Sequence, residues 1–323
     1  IGARVETAPG GNLRGRLEGS HPAFPSVMTG SHIDTVLQGG RFDGVAGVVA
    51  ALEVARVMVE EKIPHRHPVD VVAFAEEEGS RFGSVMIGSR TWIGKLSPED
   101  LDRLKDRNGI SYREAMEEMG LRRAEAPLLK PGMVKAMIEL HIEQSLVLEE
   151  RGIPIGLVEG INGIRQFGVI LKGVPNHAGA TPMALRHDAL QGAARVIAAV
   201  EEIARKEMGD PTVATVGMIS CEPGQANVIP GRVYFTVDIR DLDSERIEQT
   251  ARRVISAIQS ICQDRGLTFE IQPRSDTPPV RLSQEIIALI EESAREKKIP
   301  FLPMRSGALH DSSILAEVTE VGM

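Results

Sequence analysis

Three apolar segments of this sequence each end in residues of the types that bind metal ions. VMTGSHID ends in His32 and Asp34, VDVVAFAEEEG ends in consecutive glutamates, and VKAMIELHIEQ ends in His141 and Glu143. Nitrogen and oxygen ligands of this kind bind divalent cations and leave coordination positions open for water. Water held in this way is the usual nucleophile of metal-dependent hydrolases. The pattern therefore predicts a divalent-metal site with hydrolytic chemistry.

The glutamates Glu76, Glu77 and Glu78 are the most specific of these signals. Adjacent carboxylates repel one another unless a cation lies among them, and a surface charge run rarely follows an apolar strand directly. One glutamate can bind metal while its neighbour acts as general base. Asp43 in GGRFDG has two oxygens with which to bridge two ions, although by itself it is more typical of a turn before Gly44.

The segments that carry these residues are predicted to be strands of an α/β domain. VDVVAFA is apolar throughout, as expected of a strand buried in a parallel sheet. Apolar residues at helical spacing follow GGRFDG, and a polar helical region is predicted over about residues 97–120. Ligands of open α/β sheets lie beyond the carboxyl ends of the strands, so this edge is the predicted site.

The order of predicted elements changes from about Gly160. A strand IRQFGVILKG is followed by a long amphipathic helix over residues 183–208, strands TVATVGMIS and RVYFTVDI, a helix over residues 243–266, and strand LTFEIQ. This order predicts a smaller two-layer α+β domain of ferredoxin-like type. SDTPPV is predicted to be a linker, and SQEIIALIEESAREKK a helix that returns to the first domain. The smaller domain is therefore predicted to be inserted at residues 161–275, within a metal-binding domain of residues 1–160 and 276–323.

Composition and motifs exclude several classes of protein. A net charge of -8 without a basic patch argues against non-specific nucleic-acid binding. No apolar run is long enough to span a bilayer, so no membrane partner is expected. Cys221 and Cys262 cannot build a disulfide framework, which makes the cytoplasm the expected compartment. Nucleophile-elbow, P-loop and dinucleotide-binding motifs are absent from the sequence.

Six segments together resemble the amidohydrolases of the M20-type metallopeptidase superfamily. These segments are SHIDTVLQGGRFDGVAGV, EEEGSRFGSVMIGSR, ELHIEQS, NHAGATPM, QANVIPGRV and SGALHD. The chain is most similar to the branch of N-carbamoyl-L-amino acid hydrolases, allantoate amidohydrolases and β-ureidopropionase-like enzymes. EEEGSRF and HIEQ distinguish this branch from the dipeptidases and aminoacylases of the superfamily, and the resemblance extends over essentially the whole chain.

The resemblance implies an α/β catalytic domain with a mixed, largely parallel sheet flanked by helices, and a smaller lid domain that also forms a homodimer. Two divalent metal ions (Zn, Mn, Co or Ni) are expected in each subunit. The residues that match the family's metal ligands are His32, Asp43, Glu78 and His141, with Asp43 bridging. Glu77 matches the general base, and Asp34 is expected to orient His32.

The remaining implied roles concern the substrate. His177 and Asn227 match residues that stabilise the oxyanion and bind substrate, usually from the neighbouring subunit. Arg240 is expected to hold a substrate carboxylate, and Gln144 to contact the ureido group. His310, in SGALHD, is a further candidate, and Leu309 stands where the family has glycine.

The implied reaction is hydrolysis of the carbamoyl C–N bond of N-carbamoyl-L-amino acids by a metal-bridging hydroxide, with Glu77 as base and then acid. The segment NHAGATPM favours these small ureido substrates over allantoate, whose hydrolysis is the first alternative. An aminoacylase or dipeptidase with the same metals is the second alternative. The family continues beyond Gly322-Met323 to a further histidine ligand in a G-[IV]-S-H motif, and begins with a helical segment before Ile1. A longer natural protein is therefore expected, and an inert fragment that only dimerises is the third alternative.

Overall fold

The computed structural model describes residues 2–121, 124 and 126–323. The chain divides into two compact units. Unit 1 consists of Ile1–Ile161 and Arg281–Met323, and unit 2 of Asn162–Val280. In the sequence, unit 2 is thus one continuous stretch inserted between the two segments that form unit 1.

The helices and strands are numbered in chain order. Those that precede unit 2 are β1 (Arg4–Ala8), β2 (Asn12–Leu17), β3 (Ser26–His32), α1 (Val45–Glu60), β4 (Val69–Phe74), α2 (Ile87–Trp92), α3 (Pro98–Arg103), α4 (Tyr112–Glu118), β5 (Val134–Ile138), α5 (Val147–Arg151) and β6 (Ile155–Ile161). The next are β7 (Gly163–Lys172), β8 (Asn176–His177), α6 (Ala189–Glu202), β9 (Val213–Thr215), β10 (Ile219–Glu222), β11 (Val228–Ile229), β12 (Arg232–Asp241), α7 (Ser244–Arg265) and β13 (Thr268–Thr277). The last are β14 (Val280–Arg281), α8 (Gln284–Glu296), β15 (Phe301–Ser306), α9 (Asp311–Leu315) and β16 (Glu320–Gly322).

The main sheet of unit 1 has six strands in the order β1-β2-β4-β3-β5-β16. Strands β4, β3, β5 and β16 are parallel to one another, whereas β1 and β2 join the sheet antiparallel. The apolar residues Met28, Val72 and Phe74 are fully buried in its centre. The prediction of a mixed α/β fold is confirmed, because strands buried on both faces need the continuous apolar runs seen in the sequence.

The parallel strands bring the candidate ligands to one edge of this sheet. His32 is paired with Phe74 in register, so β3 and β4 end side by side. β5 lies next to β3 on the other side, with Ile138 opposite Thr29. The loops that follow all three strands therefore begin at the carboxyl edge, where ligands of open α/β sheets are bound.

Unit 2 contains an antiparallel sheet in the order β10-β12-β7-β13, and β9 also pairs with β12. Helices α6 and α7 pack on one face, where the fully buried residues include Val169, Leu171, Phe235, Val196 and Val254. The order along the chain is strand, helix, two strand segments, strand, helix and strand. A separate two-stranded ribbon joins β8 to β11, with His177 opposite Val228.

Two predicted helices differ from the observed ones, and capping residues account for both differences. The region predicted as helical over 97–120 is two short helices, since Ser97 and Ser111 each form a capping box that begins a new helix. The long helix predicted over 183–208 has its regular part only from Ala189, because the side chain of Asp188 accepts hydrogen bonds from the first turn. Its end, Ile203–Met208, is π-helical.

The predicted linker SDTPPV is wrong for its first residues. Strand β13 continues through residues 275–277, where Ser275 pairs with Gln166 after a register shift at Pro273. Pro273 cannot donate to the β-ladder, and two further prolines follow Thr277, so nothing in the sequence indicated that the strand continues. Among the residues that the structure describes, none of the helices combines the length and apolar character needed to cross a bilayer.

Candidate metal centre

Two histidines of unit 1, His32 and His141, have their Nε2 atoms close together. His32, buried at the end of β3, has its Nδ1 2.9 Å from the carbonyl oxygen of Asp34. His141, after β5, has its Nδ1 2.9 Å from the carbonyl oxygen of Ile142. A carbonyl only accepts, so each Nδ1 carries the proton and each Nε2 keeps a lone pair. The two Nε2 atoms lie 3.4 Å apart, in the tautomer that binds a cation.

Asp43 completes a three-residue group with these histidines. Its Oδ1 lies 3.3 Å from Nε2 of His141 and 4.0 Å from Nε2 of His32. Ligand atoms around a tetrahedral ion, with bonds of about 2.0–2.1 Å, lie about 3.3 Å from one another. Within the part of the chain that the structure describes, a second potential ligand group shares His32 and adds Glu77 and Glu78. The spacing of the first group therefore fits a divalent metal ion.

The carboxylates beside this group also fit a cation. Burial, reinforced by nearby carboxylates of which Asp311 has the largest effect, raises the pKa of Glu77 to about 10. Burial, followed by the charge of Asp43, raises the pKa of Glu78 as well. Oε1 of Glu78 is buried and has no hydrogen-bond partner among the described residues. A neighbouring cation would satisfy that oxygen and favour the ionised form of both glutamates.

Asp34 and Gln144 contact candidate ligands and orient them. Asp34 orients His32 through its backbone carbonyl, because its side-chain Oδ1 is 3.8 Å from the ring nitrogen. The carboxylate of Asp34 instead accepts from the backbone N–H groups of Glu77 at 3.1 Å and Glu78 at 3.0 Å. Nε2 of Gln144 lies 3.3 and 3.2 Å from the two carboxylate oxygens of Asp43. In this structure Gln144 therefore orients the predicted bridging aspartate.

Two acids singled out in the sequence lie outside both ligand groups. The carboxylate of Glu76 accepts from the backbone N–H groups of Arg81 at 2.9 Å and Phe82 at 3.0 Å, and so stabilises its own loop. The carboxylate of Glu143 accepts from backbone N–H groups at the start of α5, at 2.9 and 2.8 Å. Both side chains accept hydrogen bonds from the backbone. Glu77 and Glu78 are therefore the glutamates that remain as candidates for the metal site.

Two buried acids near the site were missed in the sequence. Glu139 accepts from Oγ of Ser31 at 2.7 Å and from Oγ of Ser312 at 2.5 Å. Asp311 is fully buried and accepts from Oγ of Ser89 at 2.5 Å. Burial, and then the charge of Glu139, raises the pKa of Asp311 well above its usual range. The available signals were an acid directly after the predominantly apolar run VKAMI and a second acid next to His310.

His310 packs against His141, one of the two candidate ligand histidines. Its ring lies 4.5 Å from that of His141 in an edge-on arrangement, and its Nε2 is 2.7 Å from Oγ of Ser306. Burial, and then the electrostatic effect of the neighbouring His141 and His32, lowers the pKa of His310 well below its usual value. His310 is therefore a neutral imidazole beside the site.

The three candidate substrate-binding residues of unit 2 lie in two places. His177 and Asn227 are exposed and adjacent on the ribbon of β8 and β11, where the backbone carbonyl of Asn227 accepts from the N–H of Ala178 at 2.9 Å. Arg240 is on β12 and donates to both carboxylate oxygens of Asp238, from Nε at 2.8 Å and from Nη2 at 3.2 Å. His177 and Asn227 can act together, and Asp238 sets the direction of the Arg240 guanidinium.

Gly44 allows the backbone to approach the ring of His32, which gives a prediction about metal affinity. Its φ is +65°, and a Cβ built there would lie 2.4 Å from Nδ1 and Cε1 of His32. Gly44→Ala is therefore expected to displace the ring and to weaken Zn²⁺ binding by about tenfold to 100-fold. Competition with a chromophoric chelator measures this affinity. Gly40→Ala is the control, because a Cβ at Gly40 meets nothing within 4 Å. Equal affinities of the two variants would contradict the prediction.

Fold and site together define a metal-dependent hydrolase: the carboxyl edge of a parallel sheet gathers imidazoles and carboxylates at coordination spacing, with an additional buried glutamate. The chain belongs to peptidase family M20/M25/M40, whose family model matches residues 28–323.

Relatives with named activities indicate which branch of this family the chain resembles. The N-carbamoyl-L-amino-acid amidohydrolase of Pseudomonas sp. (strain NS671) is 44% identical over 97% of this chain and 76% of its own length. The allantoate amidohydrolase of Escherichia coli (strain K12) is 39% identical over 95% of this chain and 74% of its own length. A solved amidase of the hydantoinase/carbamoylase family from Burkholderia multivorans superposes with a TM-score of 0.94 at 36% identity, over 100% of this chain and 78% of its own. The resemblance inferred from the motifs is thereby confirmed, and the relatives are amidohydrolases of linear C–N bonds.

Proposed function

We propose that this protein is an amidohydrolase that cleaves the carbamoyl C–N bond of N-carbamoyl-L-amino acids. The observation that carries the choice of substrate is the higher identity to the Pseudomonas carbamoyl-amino-acid enzyme, at 44%, than to the Escherichia coli allantoate enzyme, at 39%. The difference in identity is small, and both substrates present a ureido group and a carboxylate. Allantoate is therefore the second candidate.

The proposed site binds two divalent ions in each subunit. His32, Asp43 and His141 would hold the first ion, and Asp43 together with Glu78 would hold the second, so that Asp43 would serve both. When bound, such ions supply Lewis-acid polarisation of the substrate and lower the pKa of water. Imidazole and carboxylate ligands suit Zn²⁺, Mn²⁺, Co²⁺ and Ni²⁺, and the supply in the cell selects among them.

Glu77 is the proposed general base and then general acid. It is buried, and its Oε2 lies 3.9 Å from Nε2 of His32, beside the first ligand group. Its carboxylate takes a proton from the water that attacks the carbamoyl carbon. The same proton is passed to the nitrogen of the leaving group when the C–N bond breaks. Cleavage of this bond gives the amino acid and carbamate, and carbamate then decomposes to ammonia and carbon dioxide.

His177 is the proposed donor to the developing oxyanion. Its Nδ1 accepts hydrogen bonds from the backbone N–H groups of Gly179 and Ala180, each at 3.1 Å. The ring proton therefore lies on Nε2, which is the tautomer that an oxyanion donor requires. Asn227, adjacent to it, and Arg240 are proposed to bind the substrate, with Arg240 holding the carboxylate. Gln144 is proposed to reach the ureido group from the metal-binding unit.

The proposed assembly is a cytosolic homodimer that forms through unit 2. Strand β10 lies at one edge of the sheet of unit 2, and Met218 and Ile219 are 51% and 49% exposed there. An exposed strand edge with apolar side chains is suited to pairing with a second copy. The free thiols of Cys221 and Cys262 suit a reducing compartment.

Ammonia release tests the substrate assignment. Metal-free protein is resupplied with Mn²⁺ or Zn²⁺ and given N-carbamoyl-L-methionine, allantoate or, for acylase activity, N-acetyl-L-methionine. We expect the largest kcat/KM for the carbamoyl amino acid, because only that substrate combines the ureido group with an amino-acid side chain. Preferential turnover of allantoate would replace the first candidate by the second. Release of acetate alone would indicate an aminoacylase, and no turnover despite two bound ions would overturn the proposal.

A further inference from the structure

We infer that Arg186 is a positioning residue for His177, an inference that rests on the proposed function of His177. The half-buried Arg186 donates from Nε to the backbone carbonyl of Thr181 at 3.0 Å and from Nη2 to that of Ala178 at 2.5 Å. One guanidinium thus holds both ends of a four-residue turn that follows His177.

The turn held by Arg186 is the one that sets the tautomer of His177. The two N–H groups that bind Nδ1 of His177 belong to Gly179 and Ala180, which lie between the two carbonyls bound by Arg186. Thr181 closes the turn through bonds from its N–H and its hydroxyl to the carbonyl of His177, at 3.1 and 2.9 Å. The backbone donors to the imidazole are therefore fixed from both sides.

The chemistry of the contact requires arginine. A planar guanidinium presents several N–H groups in fixed directions and can bind two separate carbonyls at once, whereas an ammonium group is a single point of charge. Among the described residues, no carboxylate lies within ion-pair distance of Arg186. Its donors are directed to the backbone of the turn, which is the arrangement expected of a structural clamp.

Loss of this clamp should affect the transition state more than substrate binding. With the turn loosened, Gly179 and Ala180 no longer keep the proton on Nε2 and the ring no longer points in one direction. A donor to the oxyanion acts mainly when charge develops on the oxygen, so its misplacement lowers kcat with little change in KM.

The activity test uses Arg186→Met in the full chain loaded with Zn²⁺. We expect kcat to fall by about tenfold to 100-fold while KM changes by less than about threefold. Added guanidinium ion should restore part of the rate, and Arg186→Lys should be impaired despite its charge. Arg205→Met is the matched control, because that side chain is 78% exposed on the π-helical segment and is expected to keep full activity without any response to guanidinium. A kcat for Arg186→Met equal to that of Arg205→Met would overturn the inference.

A second readout does not depend on turnover. In ¹⁵N-labelled metal-free protein, the imidazole signals of His177 are identified by their absence in His177→Ala, and they report which nitrogen carries the proton. We expect the Nε2–H tautomer in the wild type and a mixture of tautomers in Arg186→Met and Arg186→Lys. An unchanged tautomer in both folded variants would overturn the inference.

The variant His177→Ala separates the inference from the proposed function. It should lower kcat by about 100-fold to 1,000-fold, and adding Arg186→Met to it should cause no further loss. If His177→Ala keeps the wild-type kcat, the proposed catalytic role of His177 fails, while the tautomer measurement still decides whether Arg186 positions the ring. A further loss of kcat in the double variant would show that Arg186 acts elsewhere and would overturn the inference.

Discussion

Replacing Glu77 by glutamine is expected to lower kcat by about 1,000-fold while the protein keeps its metal ions. Glutamine has nearly the same shape but cannot take a proton from water at neutral pH, so the attack and the departure of the nitrogen both lose their proton carrier. The proposed metal ligands of the first group, His32, Asp43 and His141, are unchanged by the substitution. The measurement is ammonia release under saturating substrate, together with the metal content of the same sample.

The neighbouring glutamate is the matched control for this experiment. Glu76 has the same side chain and the same sequence context, but its carboxylate accepts from the backbone of Arg81 and Phe82. Because an amide oxygen can also accept these bonds, Glu76→Gln is expected to keep most of the activity. Equal losses in the two variants would show that the substitution disturbs the loop and would remove the support for Glu77 as the base.

Replacing His32 by alanine is expected to lower the affinity for metal by more than about 100-fold, since even partners of a ligand commonly contribute tenfold to 100-fold. His32 is the one residue shared by both potential ligand groups among the described residues. Its loss removes a nitrogen from the first group and empties a buried position at the end of β3. Metal content after dialysis against a chelator gives the retained ions directly.

The melting temperature gives an independent measure of the same loss. A ligand that binds only the folded state stabilises it, and the gain grows with the logarithm of the ligand concentration relative to Kd. Zn²⁺ should therefore raise the Tm of the wild type and leave the Tm of His32→Ala nearly unchanged. His21→Ala is the control, because His21 is exposed and stacks on Phe24 at 4.7 Å, away from the ligand groups. A Zn²⁺-dependent rise in Tm that survives in His32→Ala would exclude His32 as a principal ligand.

The ligand-bearing strands could be predicted because their signals are local. β3, β4 and β5 are short apolar runs, and parallel pairing places whatever follows them at one edge. His32, Asp43 and His141 come together there, as the motifs indicated. Their exact roles in catalysis remain the prediction that the experiments above address.

The features that were missed depend on partners that are distant in sequence. Strand β2 contains Arg14 and Arg16, which give it a polar character, but Arg16 donates to the buried Asp70 at 2.7 Å and 2.8 Å and so fits inside a sheet. Glu139 accepts hydrogen bonds from Ser31 and Ser312, and Oδ1 of Asp311 accepts one from Ser89, so the partners of both acids come from other segments of the chain. The carboxylate of Asp34 has backbone donors beyond β4, which no spacing between Asp34 and His32 could reveal.

The insertion of unit 2 has a consequence for synthesis on the ribosome. All four proposed ligands are translated before Asn162, whereas β15 and β16, which pair with β6 and β5, are translated only after unit 2. Contiguous domains commonly fold as they emerge, so unit 2 is able to fold while unit 1 still lacks these strands and the buried His310 and Asp311. If the nascent chain binds its ions before unit 1 is complete, the metal supply of the cell during translation would select among the suitable cations.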